Sequence, residues 1–293
     1  MIIVEKVEAT KSGMGAGDKV TIDLTAAGVH HALFLDFRKA AAATMSEAEI
    51  EADVGKILIK VDGEPKIEML ASEAIDLWRY YQAQHGAHTI ASVVPIWFNR
   101  LGVFNRLYDR QMLGYGMADV HSFTCEIDIT AVATLSSITP ISYIEPDNTR
   151  NLGRHYCVRR LTDYCAATGV QQIDKKLPFG QNDIGMFAIH FHQGAGEGVF
   201  TNVTIKASAG SGVDQDIYPL QTLQLHNLLN HDNKRTVQTG WYHVDFALTN
   251  DPTGYLPLGP LTNLRADITW ATNAPLSFPI LCEEVRGLTK EVR

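Results

Sequence analysis

Apolar and polar residues alternate with a period of two along much of this chain. From Phe123 to Thr130, Phe123, Cys125, Ile127 and Ile129 fall on one side, with Thr124, Glu126, Asp128 and Thr130 on the other. That is the pattern of a strand with one buried face. Leu264–Trp270 repeats it: Leu264, Ala266, Ile268 and Trp270 alternate with Arg265, Asp267 and Thr269. Further strands are predicted over Leu33–Phe37, Lys56–Val61, Ile90–Phe98, Ser137–Ile144, Met186–Phe191, Asn202–Ala207, Gly240–Leu248 and Ser277–Glu284. Most are rich in β-branched or aromatic residues and end at Gly, Pro, Asn or Asp. Helical spacing is confined to short stretches. Leu70, Ala74, Leu77, Trp78 and Tyr81 make one apolar stripe, which predicts a helix over Leu70–Tyr81 with Ser72 as its cap. Pro219 and the leucines at 220, 223, 225, 228 and 229 predict another over Pro219–Asn230. In the Ala-rich piece Arg38–Val54, Ser46 and Glu49 have the spacing of a capping box.

These elements recur in order, strand, strand, Gly-containing turn, helix and three further strands, once in each half. Ile57–Val61 aligns with Val203–Ala207, and Cys125–Thr130 aligns with Leu264–Thr269. A Gly/Leu-rich loop precedes each of the latter strands, Leu113–Gly116 and Gly254–Gly259. The chain is therefore expected to be all-β, two tandem jelly-roll sandwiches at 1–146 and 147–293, each with a short helix between mid-sequence strands. The polar stretch Glu145–Asn151 would connect them.

Composition narrows the function. The 293 residues carry a formal net charge of −8 and no long basic run, so direct nucleic-acid binding is not expected. The short cluster Arg150, Arg154, Arg159 and Arg160 suits a solvated linker. No apolar run approaches the roughly 20 residues of a transmembrane helix, and the early charges Glu5 and Lys6 do not suit a secretory signal. Synthesis in the cytoplasm is the expectation. Cys125, Cys157, Cys165 and Cys282 match no zinc spacing and suit buried apolar thiols.

One stretch carries candidate chemistry. His190 and His192 share a strand face, and Glu197 follows a Gly-rich turn. That His-x-His-x4-Glu spacing resembles the first metal-binding motif of cupins. The second motif's histidine is missing from Pro260–Asn263, and His226, His231 and His243 lie upstream of it. The plainer reading puts His190 and His192 on an exposed strand face. His30-His31 and the pair His85 and His88 lie in loop-like contexts, and Gly13–Gly17 suits a turn or flexible arm. No nucleophile elbow, phosphate loop or dinucleotide fingerprint is present. The aromatic sets Trp78, Tyr80, Tyr81 and Trp241, Tyr242, Phe246 suit packing better than the sugar platform of a carbohydrate-binding sandwich.

The order Lys19–Leu24, Leu33–Phe37, Ile57–Gly63, helix Leu70–Tyr81 and Leu113–Thr130 resembles the first half of corticovirus-type major capsid proteins. The Val61-Asp62-Gly63 turn and the strand Thr124-Cys125-Glu126-Ile127 carry most of the resemblance. Those proteins are the double jelly-roll coats of tailless, lipid-containing bacterial viruses. The resemblance implies a non-enzymatic virion protein. It would form a homotrimer and pseudo-hexameric capsomers that tile an icosahedral shell over an internal membrane, beside other virion proteins such as a vertex protein. It also allows a structural ion such as calcium at subunit contacts. Asp128 and Asp267 are carboxylates of the right kind for such an ion, but the alternation gives them a solvent-facing strand role. The alternatives are a cupin-type metal enzyme using His190, His192 and Glu197, and a carbohydrate-binding sandwich protein.

Overall fold

The computed structural model describes residues 3–82, 92–100, 113–165, 169–172, 177–192, 200–210, 213, 215–218, 229, 235–238, 240–247, 254–270 and 276–288. The chain divides into two compact units, one reaching Val158 and one starting at Arg159. The division falls inside the strand His155–Cys165, beyond the boundary expected after Pro146.

The first unit contains β1 (Val4–Val7), β2 (Lys11–Ser12), β3 (Lys19–Asp23), β4 (Val29–Arg38), α1 (Glu47–Asp53), β5 (Val54–Val61), β6 (Glu64–Leu70), α2 (Ala71–Gln82), β7 (Val93–Trp97), β8 (Tyr115–Gly116), β9 (Phe123–Ile129) and β10 (Ser137–Glu145). Strands β1-β10-β4-β7 are neighbours in one sheet, with β8 added to β4, and β6-β5-β9-β3 are neighbours in another. Leu33, Leu35 and Phe37 of the first and Ile57, Ile59, Cys125 and Ile127 of the second are fully buried and make the core. The second unit takes in most of β11 (His155–Cys165), then β12 (Gly169–Gln172), β13 (Ile184–His192), β14 (Phe200–Ser208), β15 (Gln215–Tyr218), β16 (Trp241–Asp245), β17 (Leu256–Pro257), β18 (Asn263–Trp270) and β19 (Leu276–Arg286). Here β11-β19-β13-β16 are neighbours, with β17 added to β13, and β12-β18-β14-β15 form the second sheet. Ile189, Phe191, Val203, Ile205, Ala266, Ile268 and Ile280 fill its core.

The two units share strand order, and they also share register. Val29 and His30 pair with Gly116 and Tyr115, as Gly185 and Met186 pair with Pro257 and Leu256. On β4 the register against β10 slips at His31, and on β13 the register against β19 slips at Phe187, the same position counted from those pairs. A second slip separates Val54 from Ile57 against β9 and recurs between Phe200 and Asn202 against β18. A third lies between Ile59 and Lys60 and recurs between Ile205 and Lys206. Each is one extra residue in one strand, a β-bulge. The registers match Ile57–Val61 with Val203–Ala207 as expected. They correct the other alignment by two residues: Ile59 pairs with Cys125 and Ile205 with Ala266, so Cys125 corresponds to Ala266, not Leu264.

Local chemistry explains where elements start and turn. Helix α1 begins at Ser46, whose backbone N–H and hydroxyl both donate to Glu49 at 2.8 Å. Helix α2 starts at Ala71, so Ser72 lies inside it. The backbone N–H of Leu70 is taken instead by Glu73, at 2.8 Å. Asp62 and Gly63, at φ 49° and 79°, form a tight hairpin turn that returns the chain as strand β6, where the sequence suggested an approach to a helix. The arginine cluster is no solvated linker. Arg159 and Arg160 lie on β11, Arg159 pairs with the fully buried Glu284 at 3.3 Å, and Arg150 donates to the carbonyl of Gly114. His30 and His31 lie buried on β4, not in a loop. Cys125, Cys157 and Cys282 are buried free thiols. Of the predicted Pro219–Asn230 helix, all but Leu229 is outside the described residues, as are His85, His88, His226, His231 and Glu197.

Candidate functional site

The face of β13, β16 and β19 turned away from the core carries a cluster of ionisable side chains. His190 on β13 is opposite His243 on β16, and Glu283 on β19 is opposite Ala188. His190 Nε2 lies 2.6 Å from Glu283 Oε1, and His190 Nδ1 lies 2.7 Å from His243 Nδ1. The backbone N–H of Gln238 points at His243 Nε2, 3.4 Å away. These contacts fix a direction. Gln238 donates to His243 Nε2, His243 Nδ1–H donates to His190 Nδ1, and His190 Nε2–H donates to the Glu283 carboxylate. His190, His243 and Glu283 are each at most 2% exposed, which corrects the expectation that His190 sits on an exposed face. His192 stacks on Trp241, with centroids 4.4 Å apart. Beside them, Asp245 accepts from Arg235 Nε at 3.2 Å, with both side chains fully buried.

The matched registers identify what the first unit has in these places. Phe34 pairs with Pro95 as His190 pairs with His243, and Ala32 is opposite Trp97 and Tyr143 as Ala188 is opposite Asp245 and Glu283. Phe34, Pro95, Trp97 and Tyr143 therefore occupy the positions of His190, His243, Asp245 and Glu283. Phe34 meets Trp97 and Tyr143 edge to face, with centroids 5.7 and 6.3 Å apart. One scaffold position set is aromatic in one unit and ionisable in the other.

The opposite sheets keep a common polar feature. Lys60 Nζ lies 2.6 Å from Glu126, and Lys206 Nζ lies 2.6 Å from Asp267. Lys60 holds the Glu126 carboxyl below its ordinary range, and Asp267 raises the Lys206 ammonium. Asp128 is 3.8 Å from Lys19. These carboxylates thus face cations on neighbouring strands.

No activated nucleophile emerges from these sites. Burial pushes the Cys125 and Cys282 thiols far up, and burial raises the Tyr242 phenol to about 12. Among the described residues, no group of three or more His, Cys, Asp or Glu side chains is arranged to hold a metal ion. The two ring nitrogens of His190 are turned to Glu283 and His243. The structure thus joins His190 to two residues that the sequence had not grouped with it, and leaves His192 stacked on an indole.

Residues 157–288 match the family model described as viral coat protein P2 C-terminal domain. That match takes in somewhat less than half of the chain. No curated protein matches the sequence. Its whole length matches the crystal structure of the major capsid protein P2 from bacteriophage PM2, at a TM-score of 0.78 and 15% identity, covering 100% of both chains. The structure of the STIV MCP matches at 0.69 and 12% identity over 98% of each chain. A PBCV-1 virus capsid chain matches at 0.62 and 12% identity, covering 98% of this chain and 95% of that one. At such identities the likeness establishes the fold, a double jelly roll.

Proposed function

We propose that this chain is a structural, non-enzymatic protein, the major capsid protein of a virion, and that it assembles as a homotrimer. Six sandwiches, two from each chain, would then form a pseudo-hexagonal capsomer. Such capsomers would tile an icosahedral shell against one another, over an internal membrane and beside other virion proteins such as a vertex protein, with an ion such as calcium at subunit contacts. The register-level duplication supports this reading most directly. Two units with the same strand order and the same three bulges let a three-fold oligomer present six similar sides. Light scattering on the purified protein, with and without a chelator, tests it. A mass near three times 32.3 kDa is the expected result, and a trimer that falls apart in chelator would place the ion at subunit contacts. A stable monomer at assembly concentrations would overturn the trimer.

A further inference from the structure

Asn99 follows β7 and is 1% exposed. Among the described residues, neither its amide nitrogen nor its carbonyl oxygen has a hydrogen-bond partner. A buried primary amide with both ends unmet is costly, and native structures almost always supply it with a partner. Asn99 lines a cavity in the first unit among Trp78 and Tyr81 of α2, Pro95 of β7, and Tyr156 and Val158 of β11. The cavity offers solvent a volume of about 20 Å3, enough for one water molecule and little more.

We infer that the Asn99 amide and this cavity form a binding site for one internal water. A water both accepts from an N–H and donates to a carbonyl, so a single molecule can satisfy either end of the amide or bridge to a second polar atom of the wall. The site does not suit a cation, since none of the described residues that line it is a carboxylate and the amide presents N–H donors as well as an oxygen. An apolar occupant would leave the amide unmet. The bound water then serves as a polar joint in an otherwise apolar seam where α2, β7 and the start of β11 converge. It acts as a structural ligand, and its polar anchor is Asn99.

Crystal structures of the full-length protein and of Asn99→Leu, at a resolution that shows ordered solvent, test this. The expected result is a density peak within hydrogen-bond distance of the Asn99 amide in the native protein and none there in the variant. An empty cavity in the native protein, or an amide turned to bond with protein atoms instead, would overturn the inference. A peak that persists in Asn99→Leu would show that other groups make the site and would overturn the role of Asn99. If the variant fails to fold, the native map alone still decides whether the water is present.

Discussion

Lys60 and Lys206 hold the same place in the two units, each reaching 2.6 Å diagonally across to a carboxylate on the neighbouring strand. The pairs are partly exposed, so solvent screens them and their worth is modest. The double-mutant cycle Lys60→Met with Glu126→Gln should give a favourable coupling of about 0.2–1 kcal/mol, and the cycle Lys206→Met with Asp267→Asn a coupling of the same sign. Denaturant unfolding of the four-protein sets measures it. Couplings of opposite sign in the two units would break the equivalence.

His30 provides a pH dependence. Burial is the main cause that lowers its ring from 6.5 to about 4. The folded ring therefore binds a proton less readily than the unfolded one. Stability is complete above about pH 6.5 and falls with acid down to about pH 4, by on the order of 3 kcal/mol in total. Urea unfolding at pH 7 and 4.5 should show a smaller loss in His30→Phe than in the native protein. An equal loss would assign the acid sensitivity to other groups.

The Arg235–Asp245 pair is fully enclosed, so removing one partner strands a charge. Asp245→Ala is expected to cost about 3–5 kcal/mol. Its thermal unfolding should show a fall in Tm of several degrees, where a change within error would mean that water reaches the guanidinium.

In the histidine chain, His243→Phe would leave the Nδ1 lone pair of His190 without its donor. A loss of about 1–3 kcal/mol is expected. Placing Pro at 243 and Phe at 190 copies the first unit's residues at these positions, so the double variant should recover part of that loss if the two faces are interchangeable in shape. Chemical denaturation of the single and double variants decides it.

Gly28 sits at φ +75°, and a Cβ there would come within 2.4 Å of the Glu145 carbonyl oxygen. Both the backbone conformation and the contact oppose a side chain. Gly28→Ala should lose at least about 2 kcal/mol, read from the shift of the denaturation midpoint. A neutral result would mean that the end of β10 yields easily.

Much of this architecture is legible in the residues. Parity along Phe123–Ile129 gave the buried face of β9, the stripe Leu70–Tyr81 gave α2, and Ser46 with Glu49 gave the start of α1. The two-residue error in matching Cys125 has a physical cause, because a shift of two keeps every side chain on its own face. Only hydrogen-bond pairing distinguishes the two alignments. Strand β6 was hidden by Pro65, and β11 by Arg159 and Arg160, whose charge is answered by Glu284 from a distant part of the chain. The same limit applied to His190. Alternation puts it opposite the core, but nothing local reveals that Glu283 and His243 meet it there.

The three repeated bulges bear on the history of the chain. A bulge can be gained or lost only by adding or deleting a residue, and that step turns every later side chain of the strand over. Substitution carries no such penalty, and Phe34, Pro95 and Tyr143 stand in one unit where His190, His243 and Glu283 stand in the other, on the same pleat. The likeness of the two halves is therefore held in counting, in which residue is skipped, where the letters themselves do not agree. A search for older duplications in β-proteins would do well to compare skipped positions before it compares residues.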